Sequence, residues 1–234
     1  MHPAIVKGRH TVTHAIVLTG ADRYDGRWHD HPATSQRIAA ALAEVGIEAR
    51  IRACHPRAFG GLDGTDLLVA NIANGTPGPD DATDDDWAAA WDALRAYIAR
   101  GGPMLALHLA AAAFTEVPEW REAIGGAWVP GTSMHPPLSE TTLTIHRGAH
   151  PIVTGLTDIA VTDERYSYLE TEPGNVVLAT HEHDGLTHPM VWAREHGTGC
   201  AVYDALGHDI RSYDSPGRVE LIQREAQWLL GHLD

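Results

Sequence analysis

The stretch PMLALHLAAAAF, residues 103–114, is an apolar run that ends on a histidine and then changes character. PMLALH (103–108) carries no polar residue before its last, the pattern of a strand buried on both faces. LAAAAF resumes helical chemistry, so the segment predicts a strand passing straight into a helix. Strand followed by helix is the repeating half of a parallel βαβ unit. The same alternation extends outward from it in both directions.

Upstream, HAIVLTG (14–20) reads as a buried strand closed by a small polar turn. TSQRIAAALAEVG (34–46) places Ile38, Leu42 and Val45 at helical spacing, with Thr34 or Ser35 as N-cap and Gly46 as stop. IEARIRA (47–53) alternates like a strand, and DLLVANIA (66–73) is a continuous apolar strand that delivers Asn71. Residues 76–102 open as a Pro/Gly loop and become a helix with Asp84, Asp85 and Asp86 in its first turn, where the dipole favours acids. Trp87, Trp91, Leu94 and Ile98 form its buried stripe, and Gly101–Gly102 end it. Downstream, residues 126–175 are less regular, with a strand at TLTIHR (142–147). GCAVYDALGHD (199–209) is a last strand and loop, and SPGRVELIQREAQWLLGHL (215–233) a closing amphipathic helix. This order predicts one α/β domain over residues 1–234, with a mostly parallel sheet and helices on both faces.

The chain has 234 residues, 44% hydrophobic and 21% charged, enough to bury the core of one such domain. Its net charge of −14 opposes phosphate backbones and anionic membranes, and no Lys/Arg cluster interrupts that balance. Nucleic-acid and membrane partners are set aside. Cys54 and Cys200 lie far apart without metal-ligand spacing, which suits a reducing compartment. With no basic, hydrophobic leader and no apolar run near about 18 residues, the sequence predicts a cytoplasmic protein.

Sixteen histidines are unusual, and THEHDGLTHP (180–189) is their densest stretch. Residues 176–193 read as strand, Asp184–Gly185 turn and strand, a β-hairpin insertion. His181 and His183 share a face, and His188 can meet them across the turn, so a metal clip is geometrically open. The H-x-H-x-D-H motif of metallo-β-lactamase-like hydrolases does not fit: Asp184 directly follows the second histidine, and His188 is displaced. The expectation is a polar hairpin at the edge of the fold.

Open α/β sheets place ligands at the carboxyl ends of their strands. There the first strand delivers Thr19, Gly20 and a loop with Trp28, His29, Asp30 and His31. Asn71 and Asn74 end the third strand, His108 ends PMLALH, and His208 and Asp209 follow the last strand. Imidazoles converging there can ligate zinc or another borderline metal, or exchange protons near neutral pH.

The segments LALHLAAAAF, GGAWVPGTSMHPP, AHPIVTGL with VTDERY, and MVWAREHGTGCAVYDALGHD resemble the trehalose-utilisation (ThuA-like) family over nearly the whole chain. The resemblance implies a flavodoxin-like, class I glutamine amidotransferase-like fold. His108 then stands where amidotransferases keep a nucleophilic cysteine. Neither Cys54 nor Cys200 can take that place, so glutamine amidotransfer is disfavoured. His135 matches the histidine after the family's Gly-Gly segment, Glu164 its acid before a tyrosine, His208 its closing Gly-His, and His29 its N-terminal histidine loop. Cys200 departs from the pattern, standing where the family carries a basic residue.

The resemblance implies disaccharide catabolism beside a sugar dehydrogenase that makes 3-keto sugars. The expected catalytic residues are His108, Glu164 and His208. The expected ligands of a divalent metal (zinc first, manganese or nickel otherwise) are His108, His135 and His208. Substrate contacts are expected at His29, Asn71, Tyr166 and Asp209, with Trp28 and Trp192 as further sugar platforms. A homo-oligomer is compatible with this reading. The alternative is a non-catalytic carbohydrate-binding or regulatory subunit on an amidotransferase-like fold.

Overall fold

The computed structural model describes residues 12–233. The outermost positions of the expected 1–234 domain, residues 1–11 and 234, lie outside the described residues. In chain order the elements are β1 (Thr13–Thr19), α1 (His31–Glu44), β2 (Ile47–Ala53), β3 (Leu67–Asn71), α2 (Asp84–Ala99), β4 (Met104–Leu107), α3 (Pro118–Ile124), β5 (Gly126–Ala127), β6 (Ser139–Ile145), β7 (Ile159–Asp163), β8 (Glu170–Thr171), β9 (Val176–His183), β10 (Leu186–His196), β11 (Gly199–Asp204) and α4 (Pro216–Leu229).

The main sheet is 9-stranded, in the order β2-β1-β3-β4-β11-β10-β9-β6-β7. The half from β2 to β11 is parallel, as the apolar strands predict. Beyond β11 the pairing is antiparallel through β10, β9, β6 and β7. β4 lies between β3 and β11 and is wholly buried, which is why its sequence is a run and not an alternation. α1 packs with α4 and α2 with α3, so helices cover both faces. The flavodoxin-like α/β class is therefore observed. Among the described residues no helix is long and apolar enough to cross a membrane.

Three local expectations are corrected. First, α1 starts at His31, with the Asp30 carboxylate accepting from Ala33 N at 3.0 Å. Pro32 suits the first turn, and Thr34 and Ser35 are buried within the helix instead of capping it. Second, LAAAAF does not start an α-helix. His108–Ala112 is a tight 3₁₀ turn, because His108 (φ 50°) and Phe114 (φ 53°) both adopt left-handed backbone. Third, the β9–β10 hairpin has the expected turn, with Asp184 (φ 51°) and Gly185 (φ 73°) fitting a type I′ geometry. It nevertheless sits inside the main sheet and not at the edge, since β6 and β7 pair beyond it. Leu178, Met190, Val191 and Trp192 are buried there, a core face that a rim hairpin would not have.

Candidate functional site

The parallel register places the ends of β4 and β11 side by side, with Leu107 opposite Asp204. The next residues, His108 and Ala205–His208, are therefore neighbours by construction. The His108 backbone turns through the left-handed region, which swings its ring off the strand and over the sheet end. The loop after β1 brings His29 to the same point. Glu164, the residue after the edge strand β7, reaches it too, because Asp163 at the end of β7 bonds the Gly207 and His208 amides.

Ligand atoms of His29, His108, Glu164 and His208 all lie within 4.8 Å of one another. His29 Nε2 and His108 Nε2 are 3.1 Å apart, and His108 Nε2 is 3.5 Å from a Glu164 carboxylate oxygen. His208 Nδ1 is 3.2 Å from the other. His108 Nδ1 donates to the Ala205 carbonyl at 2.8 Å, which fixes the proton there and leaves the Nε2 lone pair facing the cluster. Tyr166 Oη stands 2.8 Å from that Nε2. Two imidazole nitrogens at 3.1 Å need a shared proton or a shared cation between them.

The electrostatics keep His29 neutral and Glu164 ionised, and favour a proton on His208. Burial, followed by the neighbouring His108 and His208, pushes the His29 imidazole down to about 3, so it is neutral near pH 7. Burial would raise the Glu164 carboxyl, but the neighbouring His108 and His208 outweigh it and hold the group well below the usual carboxylate range. For His208, burial lowers the pKa, and Glu164 outweighs it in the opposite direction. Burial pushes the Tyr166 hydroxyl well up, so it keeps its proton and donates. Buried His29 Nδ1, on the side of the ring facing Gly26, has no hydrogen-bond partner, while His208 Nδ1 has the Glu164 carboxylate. Close approach also constrains the chain: a Cβ on Gly26 would stand 2.8 Å from His29 Nδ1.

The cluster floors a cavity of about 470 Å³ walled by Trp28, Leu109, Trp128, His135 and Tyr166. A groove of similar size, about 530 Å³, crosses β6 and β7, but its lining by Thr141, Thr162, Arg211 and neighbours holds no comparable cluster. The chemistry, not the size, selects the cavity.

The expected site residues are placed as follows. His108, Glu164 and His208 come together. His29, expected as a substrate contact, is a cluster member. His135, expected as a ligand, is a wall residue: its Nδ1 is 3.4 Å from Glu164 and also bonds the Pro136 carbonyl, and it is outside the four-residue cluster. Tyr166 lines the cavity. Asn71 does not reach it; buried, it donates from Nδ2 to His31 O, Thr34 Oγ1 and Ser35 Oγ and anchors α1. Asp209 caps the turn after it, accepting from Arg211 N and pairing with the Arg211 guanidinium. Trp192 is core, with its indole donating to Ile124 O at 2.8 Å. Trp128 stands in the cavity wall where Trp192 was expected. Sequence reasoning passed over Trp128 although it lies in the GGAWVPGTSMHPP segment that carries the family resemblance.

The hairpin histidines form a separate group. His181 Nε2 faces Tyr166 O at 2.9 Å, and Tyr168 N donates to His188 Nδ1 at 3.3 Å, so both rings are engaged with backbone. Among the described residues they do not form a metal-ligand cluster. Combined His183→Ala and His188→Ala substitution is therefore expected to leave metal stoichiometry unchanged by elemental mass spectrometry. Loss of the metal would return the hairpin to the site.

A profile of the ThuA family, described as trehalose utilisation, matches residues 14–229. No curated protein matches the chain. A solved ThuA-like protein from Parabacteroides merdae ATCC 43184 has TM-score 0.75 at 18% identity, covering 95% of this chain and 92% of that one. A ThuA-like protein from Bacteroides uniformis ATCC 8492 has TM-score 0.72 at 14% identity, covering 98% and 95%. A cold-adapted β-galactosidase from Rahnella sp. R3 has TM-score 0.58 at 16% identity over 94% of this chain but 32% of its own. At these identities the likenesses carry the fold alone.

Proposed function

Since this chain belongs to the ThuA family of trehalose utilisation, we propose that it is a sugar-catabolic enzyme acting on a disaccharide or a 3-keto-glycoside in the cytoplasm. One observation carries the reading: three imidazoles and a carboxylate converge at the floor of a cavity walled by Trp28, Trp128 and Tyr166. Aromatic faces suit the apolar faces of sugar rings, and the polar floor suits their hydroxyls.

The donor set fits a borderline divalent ion, with zinc first and manganese or nickel as alternatives. His29, His108, Glu164 and His208 would hold it, and it would supply Lewis acidity toward a sugar oxygen. The remaining chemistry belongs to the chain. Where Glu164 is not a ligand of that ion, its carboxylate beside His208 is the group placed to accept a proton from a substrate carbon or water. A 3-keto group acidifies the adjacent C–H, which makes base-assisted elimination or isomerisation accessible beside hydrolysis. Tyr166 keeps its proton and donates to His108 Nε2 when no ion occupies that lone pair. A sugar dehydrogenase producing the keto sugar is the expected metabolic neighbour.

The test is conversion of 3-keto disaccharides, followed by NMR, with zinc or manganese supplied. Turnover by the wild type that is lost in a cluster variant supports an enzyme. Sugar binding without any conversion, oxidised or not, would overturn it in favour of a carbohydrate-binding subunit.

A further inference from the structure

The residue before Glu164 is a buried carboxylate that the cluster itself does not use. Asp163 is fully buried at the end of β7. Its Oδ1 accepts from Glu164 N at 2.9 Å and from His208 N at 3.1 Å, and its Oδ2 accepts from Gly207 N at 2.8 Å. One side chain thus fixes the backbone of two cluster members that are 44 positions apart by the nearest sequence step it spans, from Asp163 to Gly207.

The same loop is held from below. Asp204, also fully buried, accepts from Leu206 N at 2.9 Å. Ala205 N donates to Met190 O at 2.8 Å, while Ala205 O receives the His108 Nδ1 proton. Every backbone N–H from Ala205 to His208 therefore has a named acceptor, and two of the four end on Asp163. Gly207 is left-handed at φ 118°, and a Cβ there would stand 2.9 Å from Tyr213 Oη. The loop has no slack on either side.

From this geometry we infer that Asp163 is a positioning residue, a carboxylate strap that sets Glu164 and His208 in register with each other. The inference rests on the cluster being the working site, as proposed above. Only a carboxylate serves: it is acceptor-only, and three N–H groups converge on it. An asparagine would turn an NH₂ toward at least one of them. The strap also explains how β7, remote from β11 in strand order, delivers a ligand beside His208.

The experiment uses the full chain, first metal-free, with Asp163→Asn. Long-range ¹H–¹⁵N spectra are expected to show the His208 ring resonances displaced and those of His150, packed on Trp228, in place. Zinc affinity, read by competition with a chromophoric chelator, is expected to fall roughly 10–100-fold, the loss usual for a group that orients a ligand. An Asp163→Asn protein with unmoved His208 resonances and unchanged zinc affinity overturns the inference. If that variant does not fold, Asp163→Glu keeps an acceptor-only carboxylate and moves its oxygens by one methylene. His208 resonances displaced in it, with those of His150 in place, support the strap, and wild-type resonances overturn it. A wild type that takes no zinc defeats the metal reading of the site alone, because the metal-free spectra still decide the strap.

Discussion

His108→Asn is expected to abolish metal uptake and turnover together while leaving the protein folded. Asparagine is the informative replacement because position 108 has φ 50°, and Asn tolerates left-handed backbone better than alanine does. Its amide can also keep the donation to the Ala205 carbonyl that His108 Nδ1 makes at 2.8 Å. What disappears is Nε2, the atom 3.1 Å from His29 and 3.5 Å from Glu164. Loss of a direct donor should exceed the roughly 10–100-fold that loss of a supporting group costs. Elemental mass spectrometry on tag-free protein, purified without chelator, reads the outcome. Near-stoichiometric metal in the wild type and almost none in His108→Asn is the expected pair. His135→Asn is the matched control: as a wall residue outside the cluster it should keep its metal, and any loss should appear in sugar affinity. Full occupancy in His108→Asn would remove the metal centre from this end of the sheet and leave the imidazoles as proton carriers.

The parallel half of the fold was legible because burial on both faces leaves a direct mark: PMLALH and DLLVANIA carry almost no polar residues, and the flanking helices repeat at 3.6. Strand ends then located His29, His108 and His208 without any coordinates. The hairpin turn was readable from Asp184–Gly185, yet its place in the sheet was not. Antiparallel strands alternate whether they lie at an edge or inside, and nothing local says that β6 and β7 will pair beyond them. The same blindness explains why His29 stands in the cluster and His135 at the cavity wall. Sequence order says which loops reach the sheet end, while the last few ångströms depend on the Asp163 bonds that join the end of β7 to the His208 loop. Asn71 misled for a related reason. A polar residue at a strand end can face the ligand or clamp the next helix, and here Thr34 and Ser35, assigned to capping by sequence, are the partners that draw it inward.

The largest stability effect is expected at Arg218, away from the cavity. Arg218, Asp204 and Glu225 are all fully buried, and Arg218 Nη1 lies 2.8 Å from Asp204 Oδ2. Two acids and one cation share this space, so one acid must shed its charge. Burial, followed by the neighbouring Asp204, pushes the Glu225 carboxyl well above 4.5 and keeps its proton on. Arg218→Met removes the cation and leaves Asp204 without it, a loss of about 3–5 kcal/mol for a broken buried pair. Urea denaturation would read it, and a cost below about 1 kcal/mol would mean that water reaches the network. The pH dependence has a definite sign. The folded chain holds the Glu225 proton that the unfolded chain releases near 4.5, so folding takes up a proton above that pH. This contribution to stability is complete below the unfolded value and is lost as pH rises through the folded one. Glu225→Gln stays neutral throughout. Relative to the wild type it should therefore gain stability progressively as pH rises from about 5 to 8, where carboxylates are otherwise ionised. The difference between the two proteins, taken at each pH, cancels the opposite slope that Glu164 contributes to both. A flat difference would show that Glu225 is ionised in the native protein and that Arg218 compensates both acids. Asp204 would then hold the Leu206 amide, and through it the His208 loop, with Arg218 no longer its cation alone.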